Sequence, residues 1–298
     1  MPEPPSRLFV FGLGYSALRL ARALIADGWL VAGTCREAAA REALRDDGID
    51  AHLFDRSRTL DRTVLEGATH LLSSVPPDEA GDPVLDAHGG DIAQIDGLTW
   101  AGYLSTTGVY GDRGGAWVDE TDVPRPTSER GRRRVAAEGG WLGLHRAHGL
   151  PVHVFRLAGI YGPGRSALDQ VRAGTARRIV KPGHAFSRIH VDDIVNVLLA
   201  SMARPDPGIV YNVCDDEPAS SSDVIAHACR VLGVAPPPEI PFDAAELSAM
   251  SRSFFAENRR VANDRIRRDL GVRLRYPTYR EGLAAILAEE GGAPVARG

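Results

Sequence analysis

Six residues near the start of the chain, Gly12-Leu13-Gly14-Tyr15-Ser16-Ala17, constrain its fold more than any other stretch. They follow an apolar, strand-like run, Arg7–Phe11, and open a helical pattern in which Leu18, Ala21, Leu24 and Ile25 share one face. Asp27-Gly28 ends that helix, and residues 29–34 read as the next strand. In such a strand–turn–helix unit the first glycine permits the tight turn. The second lets a phosphate chain approach the backbone, and a small third residue, here Ala17, lets helix and strand close together. The helix start then offers unpaired N–H groups and the positive end of its dipole to an anion. The spacing predicts that Gly12, Leu13, Gly14, Tyr15, Ser16 and Ala17 cradle a dinucleotide rather than form a bare turn.

The alternation continues. A helix is expected over 37–46, strands over 49–54, 69–75 and 100–105, a helix within 128–148 despite Gly139 and Gly140, strands at Val152–Leu157 and 209–213, and a helix at Val191–Ala203. Strand–helix alternation points to an α/β chain with a Rossmann-type doubly wound parallel sheet. Beyond Val213 the texture turns helical, with patterns at 222–232, 244–251, 263–270 and Tyr279–Glu289 separated by connectors such as Pro236-Pro237-Pro238. The expected organisation is a nucleotide-binding domain over 1–213, with a cap insertion near 164–186, and a smaller, mostly helical substrate lobe over 214–298. The joint between them is the default place for a substrate cleft.

The second strand ends in Thr34-Cys35-Arg36. A site built for NAD puts a carboxylate near here for the ribose 2′-hydroxyl, whereas an arginine suits a 2′-phosphate. No acidic residue occupies 34–36, so Arg36 predicts NADP, with NAD left open; the alternative for Arg36 is a solvated loop arginine. Asp55 and Arg56, ending the third strand, are placed for the adenine side, Asp55 equally as a loop cap. Thr34 and Ser74 complete the expected cofactor contacts. Cys35, Cys214 and Cys229 are few and scattered, with no metal-ligand spacing, so no metal is expected. A net charge of -4 argues against nucleic acid, and no apolar run suits a membrane span. With no signal-peptide pattern, a cytoplasmic setting is expected.

Four further segments carry a resemblance. Residues 104–111 (Leu-Ser-Thr-Thr-Gly-Val-Tyr-Gly), 156–164 (Arg-Leu-Ala-Gly-Ile-Tyr-Gly-Pro-Gly), 188–193 (Arg-Ile-His-Val-Asp-Asp) and Tyr211-Asn212-Val213 fall in order. Together with the glycine turn they resemble the extended short-chain dehydrogenase/reductases of the NAD-dependent epimerase/dehydratase type. The Gly-x-Gly-x-x-Ala turn departs from the usual Gly-x-x-Gly-x-x-Gly and marks an atypical member.

The resemblance implies a tyrosine that moves a proton while hydride passes to or from nicotinamide. A lysine four residues on tunes the tyrosine, and a Ser or Thr orients the substrate oxygen. Thr106 matches the last; otherwise it is a threonine satisfying a strand end. Counting back from Glu138, the tyrosine position falls on Arg130 and the lysine position on Arg134. Of 35 basic residues Lys181 is the sole lysine, so no Tyr-x-x-x-Lys exists. Arginine stays protonated, so Arg130 cannot serve as a base, while Arg134 could hold a ribose or phosphate. The run Arg130, Arg132, Arg133, Arg134 is either an anion site for a small anionic substrate or a solvated helix face. Tyr110, Tyr161 and His190 are expected to line the substrate cleft. Gly159 stands where the family often keeps an asparagine for substrate phosphate. Two functions stay open: an NAD(P)-dependent epimerase, dehydratase or reductase with a non-standard proton carrier, and an inactive NADP(H) sensor. A small-molecule substrate is the expected partner; a homodimer is left open.

Overall fold

The computed structural model describes residues 5–291. The strands are β1 (Arg7–Phe11), β2 (Leu30–Cys35), β3 (Asp50–Leu53), β4 (His70–Ser73), β5 (Trp100–Thr106), β6 (Trp117–Val118), β7 (Val152–Leu157), β8 (Gly159–Tyr161), β9 (Arg178–Val180), β10 (Arg188–His190), β11 (Val210–Val213), β12 (Glu239–Pro241) and β13 (Arg260–Val261). The helices are α1 (Tyr15–Ala26), α2 (Ala38–Asp46), α3 (Pro83–Ile92), α4 (Glu129–His148), α5 (Ala167–Arg172), α6 (Val191–Ala203), α7 (Ser221–Leu232), α8 (Ala249–Ala256), α9 (Asp264–Leu270) and α10 (Tyr279–Glu289).

Seven strands form one sheet in the order β3-β2-β1-β4-β5-β7-β11, and the pairs from β3 to β5 run parallel. This is the doubly wound order, which reverses between β1 and β4. Phe9, Phe11, Leu71, Ala101, Tyr103, Val152 and Val154 from the sheet share a core with Trp141 of α4 and Val84 of α3. The continuous apolar strands follow from this covering by helices.

The described residues form two compact units that interleave along the chain. One comprises the segment ending at Thr106, with Glu129–Arg156 and Val195–Tyr211. The other comprises Thr107–Ser128, Leu157–Ile194 and the segment from Asn212 onward. The single boundary near 213 follows sequence order; 107–128 and 157–194, placed before it, group with the later unit. That unit has its own core, where Tyr161, Leu168, Val224, Ile225, Tyr279 and Leu283 meet. A second cluster there joins Ile179, Phe186, Phe242 and Phe255.

Two helices differ from the sequence reading, and a third, α4, is borne out. Helix α3 was hidden by Gly89 and Gly90. It is started by Asp82, whose carboxylate accepts from the N–H groups of Val84 (2.9 Å) and Leu85 (3.2 Å), with Pro83 in the first turn. The helix expected over 244–251 begins later, at Ala249, because the Ser248 hydroxyl caps it by accepting from Ser251 N–H at 3.1 Å. Helix α4 runs unbroken through Gly139 and Gly140. A β-carbon at Gly140 would lie 2.7 Å from Leu85 Cδ1, so this glycine lets α3 and α4 approach. No helix among the described residues is long and apolar enough to cross a membrane.

Candidate functional site

The glycine turn lies where the strand order reverses. Gly12 has φ +84°, open to glycine at no steric cost. Its N–H donates to Thr34 Oγ1 (2.8 Å), and Leu13 N–H donates to the Thr34 carbonyl (2.8 Å). Ser74, just past β4, donates its hydroxyl to the Gly12 carbonyl. Buried Thr34 and half-buried Ser74 therefore brace the turn from the neighbouring strands. Gly14 precedes α1 as its N-cap, in extended backbone (φ -86°, ψ -172°), with no side chain capping the helix. A β-carbon on Gly14 would meet nothing within 4 Å. Ser16 and Ala17 are buried beneath, and Tyr15 is half-buried. An exposed glycine at an uncapped helix start, with open space where a side chain would stand, fits a pyrophosphate. Gly12, Leu13, Gly14 and the first turn of α1 would hold such a cofactor.

The sequence reading missed one member of this cradle. At Gly33 on β2 a β-carbon would lie 2.6 Å from Val10 O and 2.8 Å from Leu13 Cδ1. The Leu13 side chain seats itself there, so Gly33 sets the height of the turn above the sheet.

At the ends of β2 and β3 the cations differ in availability. Arg36 is exposed and forms no ion pair among the described residues; its carbonyl accepts from Arg58 Nη2 (2.8 Å). Arg56 is committed to Asp78 (2.5 Å) and Asp86 (2.9 Å), which raise its pKa. Asp55 caps its own turn: its carboxylate accepts from Ser57 N–H (2.8 Å), Ser57 Oγ (2.6 Å) and Arg58 Nε (2.8 Å). The Arg58 and Ser57 bonds hold its pKa well below the usual carboxylate range.

Thr106 ends β5 and is half-buried. Arg130, in the first turn of α4, is exposed, whereas Arg134 one turn on is buried. Arg134 Nη1 donates to Tyr103 Oη (3.0 Å) and to the Leu104 carbonyl (2.8 Å), with its guanidinium 5.7 Å from the Tyr103 ring centre. Burial raises the Tyr103 pKa, and Arg134 opposes it. Glu138, the anchor of the register, accepts from Ser105 Oγ (2.6 Å) and pairs with Arg156 (2.8 Å), all three buried. The Ser105–Glu138–Arg156 set ties α4 to β5 and β7. Its signal lay in three separate segments, so spacing alone did not reveal it.

In the other unit, Tyr110 is fully buried and donates its hydroxyl to Asn212 Oδ1 (2.8 Å). Tyr161 Oη donates to the Thr278 carbonyl (3.4 Å), and its ring leaves no room for a β-carbon at Gly282 of α10. Burial, then the Asp215 and Asp193 carboxylates, raise the Tyr161 pKa, the opposite of what a phenolate base needs. His190 is buried against Tyr161 and Tyr276, and its Nδ1 accepts from Asp192 N–H (3.2 Å). Among the described residues no cluster of His, Cys, Asp or Glu could hold a metal ion.

The model of the NAD-dependent epimerase/dehydratase family matches residues 93–214, the stretch that holds Thr106, Arg130, Arg134, Tyr110, Tyr161 and His190. Over that stretch the chain is similar to this family. Its fold is similar to that of a functionally unknown conserved protein from Silicibacter pomeroyi, 53% identical, over 96% of this chain and 99% of that one, with a TM-score of 0.89. It is 29% identical to protein YeeZ of Escherichia coli, over 78% of this chain and 85% of YeeZ. The UDP-glucuronic acid 4-epimerase of Bacillus cereus, in complex with UDP-glucuronic acid and NAD, shares the family fold at 17% identity. That match covers 95% of this chain and 98% of the epimerase, with a TM-score of 0.77.

Proposed function

We propose that this epimerase/dehydratase-family protein binds NADP(H) and acts as an oxidoreductase or epimerase/dehydratase on a small anionic substrate. Its proton transfer would not use the usual tyrosine–lysine pair. The observation that carries the reading is the open Gly14 turn combined with an exposed Arg36 that forms no ion pair among the described residues and no carboxylate over residues 34–36. The Bacillus cereus epimerase complex holds NAD; the choice of NADP(H) here rests on this chain's own residues. The cofactor would supply or accept a hydride. Thr106 would orient the reacting oxygen through its hydroxyl, and exposed Arg130 would attract the anionic group. A nucleotide sugar fits less well. A side chain at Gly159 would press on Ser187 O at 3.3 Å, leaving little room for a phosphate-binding asparagine.

The test has two parts. Calorimetry should show NADPH binding more tightly than NADH, and Arg36→Ala should weaken NADPH about 10–100-fold while sparing NADH. Tighter NADH binding by the wild type would sink the assignment. Turnover with a panel of carbonyl acids and nucleotide sugars should appear and should fall by about 10²–10³ in kcat with Thr106→Ala.

The sensor reading is favoured by Arg134. Its Nη1 is spent on Tyr103 and Leu104, a role that braces the sheet end. Binding of NADPH without turnover on any substrate would select it. In that case the double change Arg130→Tyr, Arg134→Lys tests whether restoring the family pair restores reductase activity.

A further inference from the structure

The turn after β3 contains a cation that the family comparison does not assign. We propose that Arg58 is a second determinant of cofactor choice, reading the 2′-phosphate of NADP(H) beside Arg36. This rests on the NADP(H) reading above.

Strands β2 and β3 end side by side, with Cys35 opposite Leu53. The chain then folds into a tight turn in which Asp55 and Arg58 exchange backbone hydrogen bonds at 3.2 and 3.1 Å. Within it Asp55 Oδ1 accepts from Ser57 N–H, Ser57 Oγ and Arg58 N–H, and Oδ2 accepts from Arg58 Nε. Every strong acceptor direction of this carboxylate is used inside the turn. It is therefore spent as an acceptor for the adenine side of a cofactor, and the end of β2 beside it carries no carboxylate over residues 34–36 for a ribose hydroxyl.

The same bonds fix the Arg58 head. Its Nε and Nη2 face Asp55, and Nη2 also reaches the carbonyl of Arg36 at 2.8 Å. The guanidinium is thus held against the backbone of the residue that ends β2, with its side chain 45% exposed. Nη1 makes no hydrogen bond among the described residues. An arginine fixed on one edge, with Nη1 left open on the other, is prearranged to meet an anion. The surrounding field agrees. Arg41, Arg58 and Arg45 all lie close enough to the Cys35 thiol to favour its thiolate, while burial opposes them. Three positive charges therefore converge on the end of β2, and Glu42 is shared between two of them.

The experiment is calorimetry with 2′,5′-ADP and with ADP, which differ by the 2′-phosphate alone, on the wild type, Arg58→Ala and Arg36→Ala. The wild type should prefer 2′,5′-ADP. Arg58→Ala should weaken 2′,5′-ADP about tenfold and leave ADP within about twofold, with unchanged circular dichroism. Raising the salt concentration should weaken 2′,5′-ADP more for the wild type than for the variant. Equal loss of both ligands, or no loss of either, would overturn the role of Arg58 while leaving the Arg36 result standing. A wild type that prefers ADP would overturn the NADP(H) reading itself, and this inference with it.

Discussion

At Gly14 the backbone is open on the side where any other residue carries a β-carbon, while at Gly33 that side is already filled by Val10 O and Leu13. The two glycines therefore fail differently when replaced. Gly14→Val should abolish NADPH binding with circular dichroism and melting temperature little changed, because the new side chain meets only the space a pyrophosphate needs. Retained affinity would reduce the motif to a turn. Gly33→Ala should instead lower stability by about 1–3 kcal/mol, since Leu13 must leave its seat. Only the first of these roles was legible in the sequence, where the spacing of Gly12, Gly14 and Ala17 announces itself. Gly33 sits inside an apolar strand, and the side chain it accommodates belongs to another segment. The arginines show the same limit. Arg36, Arg56 and Arg58 look alike as letters, yet one is committed to Asp78 and Asp86, one is fixed by Asp55, and one has no ion pair among the described residues.

Among elements, the signal was clearest where burial is uniform. β1, β7, α6 and α10 fall on their expected limits, because apolar runs and helical periodicity follow from covering a sheet on both faces. Helix α3 escaped because Gly89 and Gly90 obscure its period. The short pairs β8–β10, β9–β12 and β6–β13 were also missed, since two or three residues carry no period. For α4 Gly140 proved to be a packing device, and the buried Glu138–Arg156 pair gives the helix its register on the sheet. Removing one partner strands the other charge in the core. Glu138→Ala should therefore cost about 3–5 kcal/mol, read as an earlier midpoint in urea. A shift under about 1 kcal/mol would mean that Arg156 finds water.

For the molecule as a whole, buried titratable groups set opposing pH limits. His153 Nε2 accepts from Asp206 N–H at 2.9 Å, and Nδ1 lies 3.3 Å from the Ala101 carbonyl, an arrangement that only the neutral ring with its proton on Nδ1 satisfies. Burial pushes His153 and His70 down to about 4. The unfolded chain, with histidines near 6.5, protonates first, so stability should fall as pH drops from about 6.5 toward 4. Asp215 acts in the other direction. Burial pushes it up to about 8, the unfolded state ionises first, and stability should fall as pH rises toward 8. Thermal melts across pH 4–9 should peak near pH 6–7; a melting temperature still climbing at pH 8.5 would show that Asp215 is not held neutral. The interleaved units have a consequence for how the chain can be made or cut. The first unit is completed only when Val195–Tyr211 emerges from the ribosome, by which time two segments of the second have already been synthesised. A nascent chain stopped before residue 195 therefore holds an unfinished first unit, and no single proteolytic nick can release either unit intact.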